Sequence, residues 1–271
     1  MERILRIDPR FNGPPASGNG GYVCGEIARS IPGAARVRLH SPPPLDTDLR
    51  LTAIEGDGVG LFHGETAIAA GWPTRLEIEP PAPPGLEEAT AASKAFRGFQ
   101  HHPLPTCFVC GPDREEGDGM RLFPGPLAPG ERMAGQRAGE GVFAAPWTPH
   151  PSLARSARPG AADRWEAARA PSAAAEDEID PVFIWSALDC PGCFSFPQPE
   201  GALVLLGELS ARIDGPVRIG RPHVVVSWSI EHSGRKHVTG TALFDAERRC
   251  RGVARAIWIE VAQDAQAGSG A

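Results

Sequence analysis

The sequence predicts an α+β fold: two similar units fused in one chain, each a buried helix wrapped by a curved antiparallel sheet. Three observations carry this. One helix-like stretch, DPVFIWSALD at 180–189, is apolar nearly all round. Four strand-like runs follow it, separated by tight turns. The first 75 or so residues repeat the same order of loop, helix and three or four strands. In particular, 39–71 can be laid against 211–245: a strand ends in a Pro-containing turn, and a long strand, a Gly turn and another strand follow.

Taken in order, residues 1–9 carry Ile4, Leu5 and Ile7 and read as a short strand. FNGPPASGNGG at 11–21 is a loop. YVCGEIARSI at 22–31 reads as a short helix, with Val23, Ile27 and Ile31 on one face, and Pro32-Gly33 ends it. From Ala35 the period becomes two: Val37 and Leu39 face one way, Arg36, Arg38 and His40 the other. LRLTAIEG and VGLFHGETAIAAGW give a second, a third and a fourth strand.

Residues 76–95 are rich in Pro, Ala and Glu and read as a linker with a short helix from Leu86 to Ala95. Met120, Leu122 and Phe123 read as a strand start, and GVFAAPWTPH at 141–150 as another apolar patch. Residues 151–179 are poor in large apolar groups and read as an exposed insertion. The later strands are expected at 202–213, 222–233, 236–245 and 251–261. The expected organisation is a first half at 1–100, a second half at 101–263 and a disordered tail at 264–271.

The totals suit a globular chain of one large or two fused small domains: 271 residues, 41% apolar, net charge −6. The negative charge argues against nucleic acid as partner. No apolar run reaches the roughly 18–20 residues of a membrane helix, and the N-terminus lacks a signal-peptide core. Six cysteines in a chain this long read as reduced thiols, so a cytoplasmic setting is expected.

Within the 180–189 helix, Asp180 can cap the free N–H groups and Pro181 presets φ for the first turn. Asp189 stands late in this apolar run, with Pro191 and Gly192 after it as terminators. A carboxylate there is costly unless hydrogen-bonded or used.

Two motifs resemble a known superfamily. CFVCGPDREEGDGMRLFPGP at 107–126 is similar to the CFVCG-x-x-N-x-x-G-L-x-L opening of many hotdog thioesterase-like domains, and FIWSALDCPGCFSF at 183–196 resembles the central helix of double-hotdog acyl-CoA thioesterases. The resemblance covers roughly 1–75 and 107–261. It implies a double hotdog that cleaves an acyl thioester, with acyl-CoA as substrate and no cofactor, acting as a monomer or homo-oligomer.

The resemblance places the catalytic carboxylate at Asp189, as water activator or nucleophile. It sets Phe183, Trp185 and Phe194 beside the acyl chain and Asn19 near the carbonyl or water. A hydroxyl helper is sought among Ser227, Ser229, Thr239 and Thr241, with Thr239 standing for the group, and Arg235 and Lys236 are candidates for the phosphates of coenzyme A. The chain departs from simple hotdog thioesterases, which carry His-Gly-Gly and an acid nine positions after the His. Here Asn19-Gly20-Gly21 occupies that place, the ninth position is Ala28, and Glu26 lies two residues early. A degenerate site in the first half is implied. A non-catalytic acyl-thioester binding protein and a hotdog dehydratase remain open.

The cysteines offer a competing reading, a zinc-stabilised interaction module. Cys107/Cys110 and Cys190/Cys193 are two C-x-x-C pairs, the ligand pattern of structural zinc. Their separation in the chain far exceeds the roughly 15–20 residues of a zinc ribbon, so no metal is expected. Placed at a helix end, Cys190-Pro-Gly-Cys193 also lacks the N-terminal setting of a redox dithiol.

Overall fold

The strand-like runs build one antiparallel sheet of eleven strands in this computed structural model, which describes residues 2–128, 141–155 and 177–262. The first half supplies β1 (Glu2–Arg6), β2 (Ala35–Leu39), β3 (Asp48–Ile54), β4 (Gly58–His63) and β5 (Thr66–Pro73). The second supplies β6 (Gly125–Pro126), β7 (Val142–Trp147), β8 (Ala202–Ile213), β9 (His223–Ser233), β10 (Lys236–Asp245) and β11 (Cys250–Ala262).

The strand order is β1-β3-β4-β5-β2-β8-β11-β10-β9-β7-β6. Counted inward from β1 or from β7, each half runs first, third, fourth, fifth, second. The halves join where β2 pairs antiparallel with β8, Val37 opposite Leu209. The short β6 is added outside β7, with Gly125 opposite Ala144.

Two helices cover one face of this sheet. α1 (Gly20–Ala28) begins at Asn19, whose Oδ1 accepts from the Tyr22 amide. α3 (Pro181–Ala187) begins at Asp180, whose carboxylate accepts from the Val182 amide. They run antiparallel, because the Gly21 amide at the start of α1 reaches Asp189 beyond the end of α3, while Arg29 after α1 pairs with Asp180 before α3. Small residues allow the close approach: a Cβ on Gly25 would stand 2.8 Å from Val182 Cγ2. The main core lies between these helices and the sheet, with Phe11 stacked on Tyr22 at 4.3 Å between ring centres. α2 (Leu86–Ser93) packs on β6, β7 and β9, where Ala89, Ala92, Val226 and Trp228 form a second core.

The expected strands at 202–213 and 236–245 match β8 and β10 end to end. Three expectations need correction. Met120, Leu122 and Phe123 start no strand, because Arg121 takes a positive φ of 55° and breaks the extended run. The helix at 180–189 stops at Ala187; Asp189 leaves helical geometry (φ −89°, ψ −88°), and Cys190–Cys193 form a new short helix, α4. Pro191 therefore opens a helical turn, a position it suits, instead of ending one. The 151–179 insertion is anchored at both ends: Leu153 and Ile179 are buried and Ala154 bridges Ile179. Its middle, 156–176, and the tail 264–271 lie outside the described residues. Among the described residues no helix is long and apolar enough to cross a membrane.

Candidate functional site

The site forms where the start of α1 meets the break between α3 and α4. Asp189 is 2% exposed there, and its Oδ2 accepts from the Gly21 amide at 2.8 Å. Oδ1 has no hydrogen-bond partner among the described residues. Burial pushes the Asp189 carboxyl up to about 7, against the opposing pull of the Gly21 amide. Residue 21 has to be glycine, since a Cβ would lie 2.5 Å from Asp189 Cβ and 2.8 Å from the Trp185 carbonyl oxygen.

A cavity of about 420 Å³ opens beside this carboxylate. One wall is the start of β8, 202–206; another comes from 97–104, which contributes Arg97, His102 and Leu104. Asn19, Gly20, Asp189, Cys190 and Phe194 also line it. An apolar cavity with a few convergent polar groups is the usual form of a small-molecule site.

Several polar groups in and around the cavity are held by hydrogen bonds. The Arg97 guanidinium donates to the carbonyls of Phe194 and Phe196, and burial lowers its pKa. Gln198 Nε2 donates to the Cys193 carbonyl at 2.7 Å. Ser195 and Ser227 share a hydrogen bond of 2.8 Å, and Ser227 Oγ also donates to the Pro191 carbonyl, holding α4 on the sheet.

Three cysteines converge on the same cavity. Sγ atoms of Cys107, Cys110 and Cys190 all lie within 4.8 Å of one another. Cys107 and Cys190 stand 3.7 Å apart, and Asn19 Nδ2 lies 3.4 Å from Cys190 Sγ and 3.9 Å from Cys107 Sγ. Hydrogen bonds from the Cys110 and Cys190 thiols favour the thiolate at Cys107, and donating them pushes those two thiols up. The long sequence separation of the two pairs therefore does not keep them apart in space. The setting inferred for Cys190-Pro-Gly-Cys193 changes too, because these residues are themselves a helical turn.

The residues expected from sequence divide into two sets. Asp189, Asn19 and Phe194 come together on the cavity. Trp185 and Phe183 do not line it. Trp185 Cβ faces Gly25 of α1, and Phe183 packs among Phe11, Tyr22 and Phe108. Thr239 is fully buried beneath α4, where its hydroxyl accepts from Trp258 Nε1 at 2.9 Å. Arg235 and Lys236 sit at the exposed β9–β10 turn beside Gly234, away from the cavity lining. Glu26 is buried between Arg3 and Arg29, each 3.3 Å away, and serves the packing of α1.

Arg97, His102 and Gln198 were not legible as site residues. Their segments carry no motif, and only the fold brings them to the cavity. Gly21 left a signal in the Gly20-Gly21 doublet.

Solved structures resemble this chain over nearly its full length. The tesB protein of Mycobacterium avium subspecies paratuberculosis superposes with a TM-score of 0.55 at 9% identity, over 96% of this chain and 92% of that one. The dehydratase domain of a mycocerosic acid synthase-like polyketide synthase gives 0.54 at 15% identity, over 97% and 95%. A conserved protein of unknown function with a hot dog fold, from Alicyclobacillus acidocaldarius, gives 0.52 at 8% identity, over 96% and 92%. At these identities the likeness establishes the hotdog fold and leaves the chemistry to the site. No protein-family model matches the chain. No curated protein sequence matches it either.

Proposed function

We propose that this chain is a double hotdog, with units at 1–100 and 101–263, that hydrolyses an acyl thioester using Asp189 as its catalytic carboxylate. The observation that carries the reading is Asp189 on the lining of an apolar cavity. One oxygen is held by the Gly21 amide, and the other has no partner among the described residues. A carboxylate fixed by one oxygen, with the other left free of hydrogen bonds, can take a proton from a water.

In this reading the water oxygen bonds to the thioester carbonyl carbon as Asp189 accepts its proton. The C–S bond then breaks, and the departing thiolate takes that proton back from Asp189, which restores the carboxylate. The carbonyl oxygen gains charge beside the N-terminus of α1, whose partial positive charge favours it. The mirrored strand order around the β2–β8 junction supports the double build. A coenzyme A thioester, no cofactor and a cytoplasmic setting complete the proposal.

A second reading, dehydration of a hydroxyacyl thioester, has one observation in its favour. His102 lines the same cavity, and its Nε2 is buried without a partner among the described residues. Such a reaction would use a His and a carboxylate together.

The test is thioester turnover over acyl-CoAs from acetyl to palmitoyl, aromatic acyls and 3-hydroxyacyls. Products are followed by chromatography, with wild type and Asp189→Asn side by side. Free acid from wild type and a loss of at least 100-fold in the variant is the expected result. Turnover that survives in Asp189→Asn removes Asp189 from the mechanism. An enoyl product instead of free acid selects dehydration.

A further inference from the structure

We propose that Cys107, Cys110 and Cys190 bind a zinc ion, joining the 107–110 turn to the segment that carries Asp189. The argument begins with distances. Tetrahedral thiolates on zinc, with bonds of about 2.3 Å, stand about 3.8 Å from one another. Cys107 and Cys190 Sγ are 3.7 Å apart, and all three sulfurs fall within 4.8 Å. This spacing is too long for a covalent S–S bond of about 2 Å and close to that of two ligands sharing a metal.

The local backbone supports the same assignment. Cys107-Phe-Val-Cys110 is a tight turn in which the Gly111 amide donates to the Cys107 carbonyl at 2.9 Å. Residue 111 admits no side chain, because a Cβ would stand 2.5 Å from the carbonyl oxygens of both Cys107 and Pro105. The turn thereby presents two sulfurs to one point. Cys190 meets them from the first residue of α4.

Asn19 supplies the surroundings that thiolate ligands need. Its Oδ1 is held by the Tyr22 amide at 3.0 Å, which turns Nδ2 toward the sulfurs of Cys107 and Cys190. An N–H pointed at two sulfurs spreads the charge of metal-bound thiolates. Three soft sulfur ligands select zinc over hard cations. All three cysteines line the cavity, so a fourth position is open to it, and Cys193 is on the same wall.

The site differs in role from the Asp189 chemistry. It clasps two segments that are distant in sequence, and Cys190 adjoins Asp189, so metal would restrain the segment that carries this carboxylate.

The test uses the full chain, purified reduced and stripped with chelator, then titrated with Co²⁺ and with Zn²⁺. The expected result is about one metal per chain and a thiolate-to-cobalt charge-transfer band that zinc abolishes. Zinc should also raise Tm. Cys107→Ser and Cys190→Ser should each weaken binding at least about tenfold, while Cys250→Ser on β11 leaves it unchanged. Should the cluster variants fail to fold, alkylation of the wild type decides: zinc should protect Cys107, Cys110 and Cys190 while Cys250 still reacts. Wild type that binds no metal, binds it without a sulfur band, or gains no protection at the three cysteines overturns the site.

Discussion

The Gly21 amide donates to Asp189 Oδ2 over 2.8 Å, so the first turn of α1 holds a residue that lies beyond the end of α3. The contact is possible because residue 21 has no side chain; a Cβ would meet the Asp189 Cβ at 2.5 Å and a backbone oxygen of Trp185 at 2.8 Å. Neither can yield as a flexible side chain would. Gly21→Ala should therefore push α1 from α3 and lengthen the hydrogen bond. Overpacking of this kind costs about 1–3 kcal/mol. Thermal unfolding should show a Tm lower by several degrees, and any thioester turnover should fall further than stability alone explains. An alanine variant with unchanged Tm would show that the two helices do not approach as described.

At the other end of the same helix pair, Arg29 is paired with Asp180 and lies 3.3 Å from Glu26. The Arg29 side chain is 7% exposed and that of Asp180 is 0% exposed. Removing one partner of a buried ion pair strands the other, at a cost of about 3–5 kcal/mol. Arg29→Ala should accordingly be among the most destabilising substitutions in α1, measured by urea unfolding. Asp180→Asn should cost less, because its amide oxygen can still cap the Val182 amide. Equal and small losses in both variants would show that the pair is solvated.

Thr239 distinguishes a structural role from a catalytic one. Its hydroxyl accepts from the Trp258 indole N–H at 2.9 Å, and both side chains are buried. Thr239→Val keeps the shape but leaves that N–H unpaired, which costs about 1–3 kcal/mol. Thr239→Ser keeps the hydroxyl and should recover most of the loss. Denaturant midpoints measure both. A valine variant with full stability and reduced turnover would instead put Thr239 in the reaction.

Much of this architecture was legible in the chain itself. β8 and β10 stand out because apolar runs of the right length are bounded by Gly, Asp and Pro, and α3 because Asp-Pro precedes an apolar run. Asp189 was legible because a carboxylate after such a run must be bonded or used. The burial of Phe183 and Trp185 was legible, but their direction was not: a helix apolar on every side does not say which face meets α1 and which meets a cavity. Arg121 hid the end of its extended run, since nothing about an arginine announces a positive φ. The cysteine cluster was hidden for a different reason. Distance along the chain sets no distance in space once the fold brings the 107–110 turn and the first residue of α4 to one cavity.

Asp245, at the end of β10, sets the expected response to acid. Burial alone would raise its carboxyl, but the Arg249 amide and the guanidiniums of Arg251 and Arg249 outweigh that and hold it at about 2. In the unfolded chain an Asp titrates near 4. The unfolded state therefore binds the proton more readily, and the group contributes stability above pH ~4 that is lost as pH falls through the folded value of about 2. A shift of this size corresponds to roughly 2 kcal/mol. Asp245→Asn should be less stable than wild type by about that amount at pH 6, and the gap should narrow steadily as pH drops from about 4 toward 2. Urea midpoints of the two proteins across that range measure it. A gap that stays constant with pH would mean that the Asp245 charge is not what its arginine partners stabilise.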